Sequence, residues 1–149
     1  MDTIHSLCVR ILREDIGCLG YPRNFTIMDA DDQKSLVKEA VKQLEIDNEN
    51  LTPSSLVNYI SNNKTAEISV DAAKKIAPHF SDDEDKAKVY EYYVEKQRQM
   101  YALDFDDLIL YTVRMFKNDV EVREKWQRRF EYIMVDEYQD TNGVQFELV

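Results

Sequence analysis

Apolar residues recur along this chain mostly at intervals of three and four, the period of a helix with one buried face. Ile4, Leu7, Cys8, Ile11, Leu12 and Ile16 form the first stripe and predict a helix over residues 3–18, ended by Gly20 and Pro22. An extended link at 25–28 leads to Asp29, an N-cap with Asp31 and Asp32 in the first turn, where the helix dipole favours negative charge. That helix carries Leu36, Ala40, Val41 and Leu44. Thr52-Pro53 is a cap followed by proline at the first helical position, and it introduces Leu56, Val57 and Ile60 before a polar link at 61–65. A short helix over 69–77 stops at Pro78. The run Asp82-Asp83-Glu84-Asp85 marks the amino end of a long helix to about residue 102. Ala87, Tyr90, Val94, Gln97 and Tyr101, broadened by Val89, Tyr93 and Met100, require its burial on more than one side. Asp104 can cap a helix that turns Phe105, Leu108, Ile109, Thr112 and Phe116 inward, and a last helix covers 119–130.

The period changes once. Tyr-Ile-Met-Val at 132–135 is an apolar run that ends in Asp136 and Glu137, and it reads as a buried strand of a parallel sheet. Such a strand needs neighbours reached by crossovers. None is visible in the pattern, so either the strand is not formed as drawn or its sheet belongs to sequence outside these 149 residues. The fold class expected is mainly α.

Composition narrows this picture. At 149 residues, 44% hydrophobic and 32% charged, the chain has room for one folded domain and a fraction, and three Gly with three Pro favour helices joined by short links. The formal charge of -10 argues against a surface devoted to nucleic acid, while leaving a local DNA-contacting edge open. No apolar run reaches about 18 residues, and residues 1–15 lack the arrangement of a signal peptide, so a cytoplasmic protein without a membrane partner is expected. Cys8 and Cys18 on one helix would stand about 15 Å apart along its axis. A disulfide needs Cα atoms within about 7 Å, so both are expected as unpaired core residues. His5 and His79 complete no zinc pattern.

The chemistry concentrates at 136–140. An Asp-Glu pair at a strand end can place a magnesium ligand, Asp136, beside a proton acceptor, Glu137, for the water attacking a γ-phosphate; Gln139 could hydrogen-bond near that phosphate. The same pair can equally be two solvated side chains. No GxxxxGK[ST] occurs, and Gly17, Gly20 and Gly143 are not arranged to cradle phosphate. His5 can cap or pack at a helix start as well as donate to a phosphate. Arg10, Arg13, Arg128 and Arg129 are dispersed, and Tyr90, Tyr92, Tyr93 and Tyr101 fit a helical core as well as a base-stacking platform.

The longer string Val135-Asp136-Glu137-Tyr138-Gln139-Asp140-Thr141-Asn142 resembles the second helicase motif of the UvrD/Rep/PcrA-type superfamily 1 DNA helicases. Thr3-Ile4-His5-Ser6-Leu7-Cys8 is similar to that family's Thr-Phe-His-Ser/Ala-Phe-Cys segment, with Ile4 and Leu7 replacing phenylalanines. Leu103-Asp104-Phe105-Asp106-Asp107-Leu108-Ile109 is similar to its segment returning from subdomain 1B, so the resemblance covers essentially the whole chain.

The resemblance implies a helical 1B subdomain at 20–102, with incomplete pieces of a RecA-like α/β (P-loop NTPase) subdomain, 1A, at 1–19 and 103–149. It implies ATP and Mg2+ as cofactors of the whole enzyme, with neither bound to this piece. Asp136 and Glu137 would be the metal site, Glu137 the catalytic base, and Gln139 and Asp140 the nucleotide-coupling residues. Thr3 and His5 would touch the single-stranded DNA backbone. The parent would be an ATP-dependent 3′-to-5′ helicase of repair or replication, acting on single-stranded and forked duplex DNA together with its remaining subdomains. This piece is expected neither to hydrolyse ATP nor to unwind DNA, and its end, without a sheet, to stay disordered, self-associate or pack irregularly on the helices. The alternative is a noncatalytic helical module whose acidic surface binds a protein.

Overall fold

The structure is a computed structural model that describes the backbone of residues 4–137 and the side chains of residues 4–131. The elements are α1 (Ile4–Asp15), a 3-10 turn (Ile16–Leu19), β1 (Thr26–Ile27), α2 (Ala30–Gln43), α3 (Pro53–Thr65), α4 (Val70–Ile76), α5 (Asp82–Met100), β2 (Ala102–Leu103), α6 (Phe105–Asn118) and α7 (Val120–Glu137). The described part is mainly helical, as its periodicity predicts.

Side-chain caps start α2, α3, α4 and α5, and Asp119 accepts from the Val122 amide at the start of α7. Asp29 accepts from the Asp32 amide while Asp32 returns a bond to the Asp29 amide, a reciprocal pair that satisfies two otherwise unpaired donors. Thr52, Ser69 and Ser81 accept in the same way from Ser55, Ala72 and Glu84.

The chain divides into two units, Thr26–Asp106 and the combination of Met1–Phe25 with Asp107–Val149. In the first, α2, α3 and α4 pack against α5, burying Leu36, Val37, Ala40, Leu56, Ile60 and Ala73 against Ala87, Val89, Tyr90 and Tyr93. Three packing partners explain why the apolar face of α5 is broad. β1 and β2 form a parallel pair, Thr26 opposite Ala102 and Ile27 opposite Leu103. In the second unit the buried apolar residues include Cys8, Ile11 and Leu12 of α1, Leu108, Met115 and Phe116 of α6, and Trp126 and Phe130 of α7.

Several expectations change. The first α-helix stops at Asp15, so Cys18 sits exposed on the 3-10 turn; both thiols are free, but only Cys8 is buried. Residues 61–65 belong to α3 instead of a polar link, and Asn63 and Lys64 are buried there. The long helix ends at Met100, because Tyr101 takes a left-handed φ of 50° and the next two residues pair with β1. Met100, Tyr101 and Phe105, expected inside, are exposed.

The largest correction concerns residues 132–135. They are not a strand: α7 continues through them to Glu137. A strand without a ladder partner leaves its amides and carbonyls unpaired, whereas a helix pairs them within the segment. Among the described residues the ladder is β1 with β2.

Candidate functional site

Of the residues that the sequence singles out, Thr3, Gln139 and Asp140 lie outside the described residues. Asp136 and Glu137 have described backbone only, as the last two positions of α7. His5 lies in the first turn of α1, half-buried and engaged by neighbouring groups. The structure therefore does not assemble these residues into one described site.

The geometry bears on the expected cofactors. Consecutive positions on an α-helix project about 100° apart around the axis, at 3.6 residues per turn. Asp136 and Glu137 on α7 are thus not delivered together from a strand end. Among the described residues no group of three or more His, Cys, Asp or Glu is placed to hold a metal.

Two polar clusters are built. In the unit made of Met1–Phe25 and Asp107–Val149, Glu14 and Asp15 end α1 and meet α7. Lys125 Nζ lies 2.7 Å from Asp15 Oδ2, and Trp126 Nε1 donates to the same oxygen at 2.6 Å. Arg129 donates to Glu14 through Nη1 at 2.7 Å and Nη2 at 3.0 Å, with its guanidinium 4.6 Å above the Trp126 ring. This fork holds the Glu14 carboxyl below the usual carboxylate range. Arg13 donates from Nη1 to the carbonyls of Arg23 and Phe25, each at 2.7 Å, and lies 4.0 Å above the Phe25 ring. Two arginines that could have faced a phosphate backbone are thus engaged within this unit. Nearby, burial pushes the Cys8 thiol up, opposed by a hydrogen bond with Thr112.

The second cluster lies in the unit Thr26–Asp106. Lys64 Nζ donates to Asp104 Oδ2 and to Gln97 Oε1, both at 2.7 Å, and Tyr93 OH donates to the same Asp104 oxygen at 2.7 Å. Gln33 Nε2 reaches Tyr93 OH at 3.3 Å, and Gln97 Nε2 donates to the Ala102 carbonyl at 3.3 Å. Tyr90 is also core, donating its hydroxyl to the Ile68 carbonyl at 2.8 Å, whereas half-buried Tyr92 donates to Glu39 at 3.0 Å. The sequence reading missed Lys64. The signal was present: Lys64 continues the four-residue spacing of Leu56 and Ile60 along the inward face of α3.

The chain belongs to a helicase family: residues 1–149 match the UvrD/REP helicase N-terminal domain. The particular relatives include the ATP-dependent DNA helicase PcrA of Staphylococcus aureus, 45% identical over 150 residues, covering 100% of this chain and 20% of the relative. The protein of the same name from Staphylococcus epidermidis is 44% identical over 149 residues, with the same coverage. The chain thus spans about a fifth of the length of these relatives.

Proposed function

We propose that this chain carries the helical insertion and the second-motif carboxylates of an ATP-dependent 3′-to-5′ DNA helicase, and that these 149 residues alone neither hydrolyse ATP nor unwind DNA. The observation that carries the reading is the match of the whole chain to the UvrD/REP N-terminal domain. The string Val135-Asp136-Glu137-Tyr138-Gln139-Asp140-Thr141-Asn142 supports it. In the whole enzyme Asp136 and Glu137 belong to the magnesium site, Glu137 is the proton acceptor, Gln139 and Asp140 couple to nucleotide, and Thr3 and His5 contact single-stranded DNA.

The division at Phe25/Thr26 and Asp106/Asp107 supports an assignment of 20–102 to the helical insertion and of 1–19 and 103–149 to the nucleotide-binding subdomain. The isolated chain is inert because it contains no GxxxxGK[ST] and because α7 carries Asp136 and Glu137 away from a strand end. A net charge of -10, with Arg13 and Arg129 engaged internally, also favours weak DNA binding by this chain alone. No described helix is long and apolar enough to cross a membrane.

The test is ATP turnover by the purified chain with and without single-stranded DNA, beside Glu137→Gln. Equal background rates are expected. DNA-stimulated turnover that disappears in Glu137→Gln would overturn the reading. A noncatalytic acidic module is the competing reading, favoured by the same net charge. It predicts no unwinding even when the remaining subdomains are supplied.

A further inference from the structure

We propose that Lys64 is a positioning residue that, through Asp104, pins the register of the short parallel pair where the chain enters and leaves the unit Thr26–Asp106. The inference stands apart from the helicase reading and depends only on this unit.

β1 and β2 contain two residues each, joined by few hydrogen bonds: the Thr26 amide donates to the Tyr101 carbonyl at 3.0 Å and the Met28 amide to the Leu103 carbonyl at 2.8 Å. Strands this short and parallel have little stability or register preference of their own. A slip of one residue would put Ala102 and Leu103, both fully buried, each on the side of the pair that the other now fills, exchanging a small side chain for a large one.

The buried polar network converges on this neck. Asp104 directly follows β2, and its Oδ2 takes the ammonium of Lys64 and the hydroxyl of Tyr93. Gln97, held by Lys64, donates from Nε2 to the Ala102 carbonyl within β2 and to the sulfur of Met28, which follows β1, at 3.7 Å. One ammonium from α3 therefore orders the groups that grip both strands. A buried ion pair is a poor source of net stability, and specifying one arrangement among several is its better-supported use.

The test is native-state hydrogen exchange on the full 149-residue chain, comparing the unaltered protein with the neutral double variant Lys64→Met/Asp104→Asn, in which no unpaired charge is left buried. The Thr26 and Met28 amides should lose protection about tenfold or more, while the Ala40 and Ile60 amides of the helical core stay within about twofold. Three outcomes would overturn the proposal. Unchanged protection at Thr26 and Met28 means that the neck holds its register without the pair. An even loss at all four amides, or failure of the double variant to fold, means that the pair supports the whole unit instead of the neck.

Discussion

Each unit contains a lysine paired with an aspartate at 2.7 Å, and the two pairs differ in almost everything except that distance. Lys64 and Asp104 have side-chain exposures of 7% and 1%, and three further side chains complete their network. Lys125 and Asp15 are 34% and 15% exposed, with Arg129, Glu14 and Trp126 around them. Contact distance therefore says little about consequence. Water can replace a partner lost from the second pair, but it cannot readily reach the first, so the stranded charge there keeps its full desolvation penalty.

The comparison breaks most visibly with Lys64→Met. Leaving the Asp104 carboxylate buried without its cation should cost about 3–5 kcal/mol, measured as a lowered urea midpoint. Lys125→Met should cost about 1 kcal/mol or less in the same assay, with the difference shrinking as salt is raised. Similar losses for both variants would show that burial does not separate the pairs.

A backbone change should act in the opposite direction. Glu67 follows α3 with φ of 56°, a region where a side chain is strained and glycine is not. Glu67→Gly should raise stability by about 0.5–1 kcal/mol, read from the shift of the unfolding midpoint.

The exposed cluster also has a pH signature. The Arg129 fork lowers the Glu14 carboxyl below its ordinary value of 4.5. A lowered folded-state value means that the contact stabilises the fold above pH 4.5 and is lost as the pH falls through the lowered value. Because the Glu14 side chain is 40% exposed and screened by solvent, the effect should stay below about 1 kcal/mol. Arg129→Met should remove it, so that the stability gap between this variant and the unaltered chain closes as the pH falls below 4.5. A gap that persists in acid would mean that Arg129 acts through its packing on Trp126. Smallest of all, alkylation should label exposed Cys18 in the folded chain and reach buried Cys8 only after unfolding.

How much of this was legible depended on the range of the deciding interaction. Asp29 and Thr52 act within one turn, and the helix starts read from them match the structure. Lys64 was passed over because its partner, Asp104, is forty positions away. β1 falls inside the extended link read at 25–28, but its partner Ala102–Leu103 was read as the end of the long helix, because a ladder is a property of two segments and not of either alone. The error at 132–135 has the same origin, since its apolar run suits a strand only where partners exist. The candidate site was legible in two ways: carboxylate chemistry suggested Asp136, Glu137 and Gln139, while the roles of Thr3, His5 and Asp140 come only from the motif resemblance. Of these six, only the His5 side chain falls among those described.

The central claim is that residues 132–137 lie on a helix in this chain, so that Asp136 and Glu137 are not presented from a strand end. Backbone carbon chemical shifts of residues 132–137 in the purified protein test it most directly. Helical shifts continuous with those of the preceding turns of α7 are the predicted result. Extended-strand shifts over 132–135 would contradict the account.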